Sequence, residues 1–503
     1  MGLRPRGREL FMESNKQMVI IRELGMNGEG IAGTAEGVLF VPFTLPGEKV
    51  SVEIVHRKKN TAYGRAVAVL TPAEERVRPP CPVFGRCGGC QLQHLKYSFQ
   101  IRLKTKLVRE AFRKVAKLHV RVSECAKSGE SYHYRNKLQI PVGVADGKAV
   151  CGFYAPDSHE IVPVRGCMLH PAWARDLTDI LCNFLNEFRI RPYDERTGEG
   201  VVRHLVAREV GSTLMIVIVS ARPVLPHAEV LVKRFLLKFP TSSVFLNLND
   251  KPTNVVTGKQ YQLLAGERCV KSSELGLTVF THPNSFSQIN TYVRNRIYQK
   301  VAALCMGGEE DVIVDAYSGA GLLTAYLTRC CGKVYGIEIV PEAVENANAL
   351  AMVNGLTGKM ENLLGDCREL LPPLVRRLRA EGRKVSVILD PPRKGCDPAV
   401  LAALAETQPE RIVYISCNPS TLARDVGILV GTLNPDGSPR EGLPPLARLS
   451  ELEEAPEAAE GESRVLQGLP PESPYDLTFI RPYDMFPQTK HVETLVVLRR
   501  KNP

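Results

Sequence analysis

Two short segments carry residues that could attack or hold a ligand, and each lies at the end of an apolar run typical of a buried strand. Asp390 ends the run that begins at Val385 and is followed by two prolines, while Cys417 follows the run from Arg411 to Ser416. In open α/β sheets, ligands bind beyond the carboxyl ends of such strands. A cysteine in that position can present a thiolate, which is a nucleophile. The pair predicts a nucleophilic active site, with a buried structural role as the alternative for Cys417 taken alone.

A glycine-containing turn between a strand and a helix predicts a nucleoside pocket. The turn runs from Asp315 to Gly321 and also contains Gly319, and glycines there let a ligand approach the backbone. The third glycine of the dinucleotide fingerprint is replaced by Thr324, which disfavours a pyrophosphate and therefore an NAD-dependent enzyme. Glu338 ends the next strand, where a carboxylate can accept hydrogen bonds from ribose hydroxyls. The combination fits S-adenosylmethionine, although an ordinary tight turn would explain the glycines alone.

A group of closely spaced cysteines predicts a metal or iron–sulfur site. Cys81, Cys87 and Cys90 have the spacing C-x5-C-x2-C, and two glycines between the last two permit a sharp wrap of the chain. Closed ligation needs a fourth thiolate, for which Cys151 and Cys167 are the nearest downstream options. The spacing by itself leaves zinc and an iron–sulfur cluster as equal alternatives.

The C-terminal part of the chain alternates helical and strand patterns, which is typical of a doubly wound parallel sheet. The predicted helices are residues 287–305, 322–329 and 341–353, and the predicted strands are residues 311–315, 333–339, 385–390 and 411–416. The fold class is therefore predicted to be α/β with a Rossmann-like domain, over residues 279–503. The candidate nucleophile, Asp390 and the glycine turn all fall in this domain.

Two further domains are predicted before residue 279. Short strand-like runs separated by glycine and proline turns predict a small β-barrel of the oligonucleotide-binding sort over residues 14–72. Residues 73–278 are predicted to form a central α+β domain, whose basic helix 97–122 should pack on the catalytic domain and face phosphate with its other side. Residues 431–474 hold 8 prolines and 9 acidic residues, a composition that predicts a mobile surface insertion.

The overall composition favours a nucleic-acid partner. The chain of 503 residues has 65 Lys and Arg against 54 Asp and Glu, a net charge of +11, although solubility alone would explain such a charge equally well. No export signal precedes residue 16, and no apolar stretch approaches the ~20 residues of a membrane span. The 14 cysteines are therefore expected to be reduced. We expect a cytoplasmic protein with no membrane partner, and a monomer by default.

Four motifs resemble those of the RNA uracil-5-methyltransferase family. They are Phe286–Asn290, Asp390–Gly395, Ser416–Asp425 around the candidate nucleophile, and Asp484–Thr494 near the C-terminus. Residues 14–72 are similar to a TRAM domain, so nearly the whole chain fits the family and the main departure is the insertion 431–474. The TRAM-like domain and the cysteine group resemble the 23S ribosomal-RNA branch. The alternatives are a transfer-RNA uracil-5-methyltransferase that also carries a cluster and a non-catalytic RNA-binding or folding factor.

The resemblance implies a role for each candidate residue. Cys417 would add to C6 of a uracil, Glu493 would remove the C5 proton after methyl transfer, and Asp390 would hydrogen-bond the uracil or the methyl donor. The residues implied at the S-adenosylmethionine site are Gln288, Tyr317, Glu338, Asp390 and, near the adenine, Asp366; the turn glycines Gly319 and Gly321 are expected to border it. A [4Fe–4S] cluster with a structural role is implied on Cys81, Cys87, Cys90 and Cys167.

Overall fold

The computed structural model describes residues 16–443, 446 and 465–501. These residues form two compact units. The first comprises the chain up to Gly85 together with Gly89–Gln100 and Gln488–Lys490, and the second comprises Arg86–Gly88, Ile101–Pro487 and the chain from His491. The division into residues 14–72, 73–278 and 279–503 stays a prediction.

The first unit contains one six-stranded sheet. Its strands are β1 Lys16–Ile20, β2 Glu23–Leu24, β3 Gly30–Thr34, β4 Gly37–Val41, β5 Lys49–Lys58 and β6 Thr61–Thr71, and they lie in the order β1-β5-β6-β4-β3-β2. Alternate side chains point into one apolar core, where Val50 and Val52 pack with Leu39. Gly37 has a φ of 125°, and a Cβ atom there would lie 2.2 Å from the Asn60 carbonyl oxygen, so only glycine fits this turn.

The remaining chain supplies eighteen strands among the described residues. They are β7 His119–Val120, β8 Lys137–Ala145, β9 Lys148–Tyr154, β10 Ile161–Pro163, β11 Val202–Val210, β12 Thr213–Ser220, β13 Ser243–Leu248, β14 Gln260–Ala265, β15 Val270–Glu274, β16 Leu277–Thr281, β17 Asp311–Ala316, β18 Lys333–Glu338, β19 Met360–Leu364, β20 Lys384–Leu389, β21 Arg411–Ser416, β22 Val465–Gln467, β23 Tyr475–Tyr483 and β24 Glu493–Arg500. The helices are α1 Tyr97–Ala111, α2 Ala172–Glu187, α3 Ala228–Lys238, α4 Thr291–Leu304, α5 Leu322–Leu327, α6 Pro341–Val353, α7 Cys367–Ala380, α8 Pro398–Thr407 and α9 Pro419–Val430.

The second unit contains two seven-stranded sheets. One has the order β10-β9-β8-β11-β12-β13-β14 and packs with α2 and α3 around a core that includes Phe184, Phe235 and Leu246. The other has the order β19-β18-β17-β20-β21-β24-β23. Its first five strands are parallel and alternate with helices, which confirms the predicted doubly wound α/β fold.

The antiparallel pair β23 and β24 completes the parallel sheet and was not predicted as its edge. Strand β24 runs antiparallel to β21, with Thr494 opposite Ser416. Because of this direction, the first residue of β24 lies beside the carboxyl end of β21. The topology therefore brings Glu493 and Cys417 to the same edge of the sheet, although 75 residues separate them in the chain.

The predicted helix limits differ from the structure where a local contact ends or delays the helix. Helix α6 has the predicted limits, whereas α4 begins at Thr291 because the Asn290 side chain accepts a hydrogen bond from Val293 N. The predicted helix 97–122 is wrong beyond residue 116. Helix α1 gives way to a π-helical turn, Phe112–Ala116, and Lys117 is left-handed with a φ of 56°.

One lysine of α1 is buried, whereas the basic residues of this helix were predicted to face phosphate at the surface. The Lys104 side chain is fully buried, and its ammonium group lies 2.5 Å from a carboxylate oxygen of Asp484. It also donates to the carbonyl oxygen of Phe486. Lys104 therefore holds the segment before β24 in place and does not face phosphate.

Only the two ends of the predicted insertion 431–474 fall within the described residues. At the N-terminal end, Leu433 pairs with Pro439 in an isolated bridge. At the C-terminal end, β22 pairs with β7. Residues 444–445 and 447–464 lie outside the described residues. In the part of the chain that the structure describes, no helix has the length and apolar character needed to cross a membrane.

Candidate active site

A cavity of about 1140 Å³ opens in the second unit where β17, β18, β20 and β21 end. The strand order of the sheet reverses beside β17, which is where open α/β sheets bind ligands. Eight residues that the sequence analysis assigned to catalysis or to the donor site line this one cavity. They are Gln288, Tyr317, Gly319, Glu338, Asp366, Asp390, Cys417 and Glu493. The structure thus brings the candidates together, while their individual roles stay predictions.

The turn after β17 is held in shape by the carboxylate that ends β18. Glu338 accepts a hydrogen bond from Gly319 N at 2.9 Å and another from Val340 N at 2.9 Å, one on each oxygen. Each carboxylate oxygen has a second lone pair, so Glu338 can still accept hydrogen bonds from a ligand. Tyr317, in the same turn, has a φ of 68°, a conformation that costs energy for a residue with a side chain.

Gly321 is not among the cavity-lining residues, unlike Gly319. Its φ is 79°, and a Cβ atom there would lie 2.7 Å from the Ala347 side chain and 2.8 Å from that of Met360. Glycine is therefore needed at this position for the close packing of the turn against α6 and β19. This finding gives Gly321 a packing function in the turn.

Thr324, which replaces the third glycine of the dinucleotide fingerprint, makes a specific contact. Its hydroxyl donates to a carboxylate oxygen of Asp315 at 2.6 Å, and both side chains are buried. Burial raises the pKa of Asp315 to about 7, and the charges of Asp390 and Glu338 add to the effect, against the hydrogen bond from Thr324. Sequence reasoning treated Thr324 only as a missing glycine.

Asp366 lies on the cavity wall at the start of α7. Its side chain caps the helix by accepting from Arg368 N at 2.8 Å, and it also pairs with the Arg368 guanidinium at 2.7 Å. These hydrogen bonds and the Arg368 charge lower the pKa of the Asp366 carboxyl. Asp366 is therefore a fixed carboxylate at the rim, where it could meet the polar edge of a ligand.

Two carboxyl groups, half-buried Asp390 and buried Glu493, line the same cavity. Burial raises the pKa of Asp390 to about 7. Burial also raises the pKa of Glu493, and the nearby Asp390 charge raises it further while the Arg393 charge opposes the shift. Because two like charges at short range cannot both ionise easily, we expect the pair to hold about one proton near neutral pH.

The Cys417 thiol lies in the same cavity and is influenced by a nearby cation, Arg393. Burial raises the pKa of this thiol and the Glu493 charge adds to the rise, whereas the charge and the hydrogen bond of Arg393 lower it. Sequence reasoning missed Arg393 as an individual residue, although it stands in the quoted segment Asp390–Gly395. Its position three residues after Asp390, in a loop at the end of a strand, was the available signal.

The Arg393 loop is fastened to the helix that follows Cys417. The Arg393 carbonyl oxygen accepts from Asn418 Nδ2 at 3.1 Å and from Thr421 Oγ1 at 3.2 Å. Farther along α9, Asp425 is fully buried and accepts from Cys396 N at 2.8 Å and from the Tyr414 hydroxyl at 2.5 Å. The loop and Cys417 therefore have a common anchor, which keeps the guanidinium near the thiol.

Phe286 is an exposed aromatic side chain on the cavity wall. Its relative exposure of 79% is unusual for a phenylalanine and gives a flat apolar surface beside the cavity opening. A planar base could stack on such a surface. Sequence reasoning quoted Phe286 as part of a motif but assigned it no role.

Two protein families match segments of this chain. Residues 11–67 match the TRAM domain family, and residues 377–434 match the family described as tRNA (Uracil-5-)-methyltransferase. The second match contains the Arg393 loop, the candidate nucleophile and α9. The first overlaps the predicted TRAM-like segment of residues 14–72.

Similar proteins extend over almost the full chain. An uncharacterized RNA methyltransferase of Clostridium acetobutylicum is 34% identical over 97% of this chain and 98% of its own length. Another, from Halalkalibacterium halodurans, is 33% identical over 96% of this chain and 97% of its own. The chain belongs to the RNA uracil-5-methyltransferase family. A solved structure, the Pyrococcus abyssi tRNA (uracil-54, C5)-methyltransferase in complex with S-adenosyl-L-homocysteine, is 25% identical, with a TM-score of 0.69 over 96% of this chain and 99% of that one.

The iron–sulfur cluster expected for this methyltransferase has no geometric support in the structure. Cys81, Cys87, Cys90 and Cys167 are all partly exposed. Among the residues that the structure describes, no group of three or more His, Cys, Asp or Glu side chains is arranged to hold a metal ion. The case for the cluster therefore rests on the cysteine spacing and the family resemblance.

Proposed function

We propose that this protein transfers a methyl group from S-adenosylmethionine to C5 of a uridine in RNA through a covalent adduct with Cys417. The observation that carries the proposal is the single cavity in which Cys417, Asp390 and Glu493 lie together with Glu338 and the Gly319 turn. A nucleophile, a base and a nucleoside-binding carboxylate are the groups that the reaction requires. Membership of the methyltransferase family supports the same reaction.

The donor half of the cavity suits an adenosyl ligand. Glu338 is oriented by two backbone N–H groups, so its remaining lone pairs have a fixed direction for ribose hydroxyls. We assign Gln288, Tyr317 and Asp366 to the same half. The bound donor supplies an electrophilic methyl group on a sulfonium centre.

The acceptor half explains how an unreactive carbon could be methylated. The Cys417 thiol loses its proton to solvent, and its sulfur adds to C6 of the uracil, so that the C5–C6 electron pair moves onto the C4 carbonyl oxygen as an enolate. The enolate carbon C5 then forms a bond to the methyl group, and the donor leaves as the neutral thioether. Glu493 takes the C5 proton, the C5=C6 bond is restored, and Cys417 leaves as a thiolate.

The charges around Cys417 suit these steps. The Arg393 guanidinium stabilises the thiolate before addition and after elimination, because it opposes the effects of burial and of Glu493. Asp390 holds a proton up to about pH 7 and can donate it as a hydrogen bond to the uracil oxygen on which charge develops. Glu493 must be ionised to act as a base while Asp390 keeps the proton of the pair, so we expect methyl transfer to rise with pH as Glu493 and Cys417 lose their protons and to fall again once Asp390 has lost its own.

The experiment that tests this proposal uses RNA that contains 5-fluorouridine. Fluorine at C5 cannot leave as a proton, so the reaction should stop at a covalent protein–RNA complex that survives denaturation. Wild-type protein and Cys269→Ala, which removes a partly exposed cysteine away from the cavity, should both form the complex. Cys417→Ala should form none. A complex that persists in Cys417→Ala, or wild-type protein that neither forms a complex nor labels RNA, would refute the covalent mechanism.

We propose 23S ribosomal RNA as the substrate because a TRAM-like domain and a cysteine group accompany the catalytic domain. Ribosomal RNA and transfer RNA from cells that lack the gene should be compared with methyl-labelled donor. Label in ribosomal RNA supports this substrate, and sequencing the trapped RNA identifies the uridine. Label in transfer RNA alone refutes the ribosomal substrate but leaves the chemistry intact.

A [4Fe–4S] cluster on Cys81, Cys87, Cys90 and Cys167 is proposed from the donor set alone. Four thiolates suit such a cluster, and methyl transfer needs no electrons, so no step of the reaction is assigned to it. Iron and sulfide analysis of protein purified without air should give about four of each per chain, with loss in Cys87→Ser but not in Cys269→Ser. Zinc in place of iron would correct the identity of the metal.

A further inference from the structure

A second, smaller pocket of about 430 Å³ lies in the second unit, outside the catalytic cavity. Its wall includes the side chains of Glu130, Arg135, Asn136, Glu209 and Tyr292. None of these residues lines the catalytic cavity. The pocket is therefore a separate concavity for which the methyl-transfer reaction gives no function.

The two pockets share one wall, formed by the segment from Gln288 to Tyr292. Gln288 lines the catalytic cavity, whereas Thr291 and Tyr292 line the second pocket. Asn136 fixes this segment from the side of the second pocket, because its amide group donates to Gln288 O at 3.1 Å and to Thr291 Oγ1 at 2.9 Å. A ligand held in the second pocket would thus lie one chain segment away from the catalytic cavity.

Tyr292 gives the second pocket an exposed aromatic surface. The side chain lies on the first turn of α4 and is 52% exposed. Its ring packs closely on Gly129, where an added Cβ atom would lie 3.3 Å from the ring carbons. The Arg296 guanidinium lies 5.7 Å from the ring centroid, within cation–π distance. Gly129 and Arg296 therefore hold the ring in place, and the exposed half of the side chain is available for stacking.

The charges in the pocket disfavour a phosphate and favour a base with an amino group. Glu130 and Glu209 supply two carboxylates against the single cation of Arg135. Carboxylates repel phosphate but accept hydrogen bonds from exocyclic amines, as they do from cytosine N4. Adenine, cytosine and guanine carry such an amine, and uracil does not.

Positive charge continues along α4 beyond the pocket. Arg296 and Lys300 follow Tyr292 at intervals of four residues, so the three lie on one face of the helix. Arg296 also donates to the carbonyl oxygen of Lys127. This basic strip could contact the phosphates of a strand that leaves the pocket. A free nucleoside has no such phosphates, so the strip favours a base that belongs to an RNA strand.

We propose that the second pocket receives an unpaired, amino-bearing base of the RNA strand, stacked on Tyr292, while the target uridine occupies the catalytic cavity. This inference rests on the proposed function for the identity of the partner. It adds a determinant of substrate choice, since an RNA without an unpaired adenine, cytosine or guanine close to the target would lose this contact.

The test measures binding of oligoadenylate, oligocytidylate and oligouridylate of equal length to the full chain. Wild-type protein should bind at least one of the first two more tightly than oligouridylate. Tyr292→Ala should weaken that preferred complex about 5- to 150-fold, which corresponds to the ~1–3 kcal/mol of one stacked base. Tyr292→Phe, which keeps the ring, should retain the preference, and Glu209→Gln should reduce it.

Phe280→Ala is the matched control, because Phe280 is an exposed aromatic side chain outside both pockets. It should leave all three affinities unchanged. The inference is overturned if wild-type protein shows no preference for amino-bearing oligomers, or if Tyr292→Ala binds all three as wild type does or loses all three equally. Methylation of RNA is assayed in parallel with the same proteins. Failure of wild-type methylation would refute the proposed function, whereas the oligonucleotide affinities judge the pocket separately.

Discussion

Replacing Arg393 by methionine removes the cation that chiefly lowers the pKa of the Cys417 thiol among the described residues. Methionine keeps much of the apolar stem of arginine and removes the charge and the hydrogen bonds. Burial and the Glu493 charge, which both raise the thiol pKa, would then act without opposition. We expect the Cys417 pKa to rise and the thiolate fraction at neutral pH to fall.

The size of this change follows from the contact. A hydrogen bond to a charged group contributes about 1.5–3 kcal/mol, which corresponds to roughly 10- to 150-fold in the ionisation equilibrium. Cys417 is only partly buried, so solvent screening favours the lower end of that range. The expected effect is a higher thiol pKa and a thiolate fraction that is roughly 10-fold lower at any pH below it.

The assay follows the alkylation of Cys417 by iodoacetamide as a function of pH, with the peptide that contains Cys417 quantified by mass spectrometry. The midpoint of the pH profile reports the thiol pKa without any need for RNA. Lys394→Met is the matched control, since Lys394 carries the same charge in the same loop, whereas the charges that chiefly shift the Cys417 pKa are those of Glu493, Arg393 and Asp390. Lys394→Met should keep the wild-type midpoint. An unchanged midpoint in Arg393→Met, or equal shifts in both variants, would refute the assignment of Arg393.

Three further changes test other contacts of the site. Glu493→Gln should remove the base but not the nucleophile, so a denaturation-resistant, methyl-labelled adduct should accumulate on ordinary RNA while turnover falls by roughly 100-fold or more; a variant that turns over normally would rule out Glu493 as the base. The pKa of buried Asp315 is raised to about 7, so the proton is held in the folded state and stability is lost as pH rises from about 4 to about 7. Asp315→Asn should therefore stabilise the ligand-free protein at pH 8, by up to a few kcal/mol, and have little effect at pH 4; thermal unfolding at the two pH values measures the difference, and equal effects would contradict it. Tyr414→Phe removes one of the hydrogen bonds to buried Asp425 and should cost about 1–3 kcal/mol in urea unfolding, whereas an unchanged midpoint would show that the anchor does not depend on this bond.

Much of the catalytic sheet could be predicted because each strand and helix is specified by a local sequence pattern. The apolar runs before Asp390 and Cys417 are short, bounded and separated by helical patterns, and parallel strands of a doubly wound sheet end at one edge. Residues placed at those ends must therefore meet, whatever the loops between them do. The same argument placed Glu338 beside the Gly319 turn, since it too ends a strand of this sheet.

The functions of Thr324 and Gly321 could not be predicted, because each depends on a side-chain contact that is made only in the folded chain. A motif scan compares Thr324 with the glycine of another ligand class, but the hydroxyl matters here as the partner of buried Asp315. Gly321 was assigned to the ligand, yet its hydrogen in place of a Cβ atom makes room for Ala347 and Met360. A sequence pattern shows that a small residue is required, but only packing shows which neighbour requires it.

Helix α1 shows that the sequence pattern also does not tell which charged side chains are buried. The periodicity of its apolar residues correctly predicted a helix, but the cations between them were all assigned to the surface. Lys104 instead lies against Asp484, 380 residues away, and a buried charge is stable only when it is paired. Because Lys104 also binds the carbonyl of Phe486, this pair fixes the segment that leads into β24 and thus the position of Glu493. A lysine of the helix that sequence reasoning turned toward RNA therefore supports Glu493, the proposed base, from inside the protein.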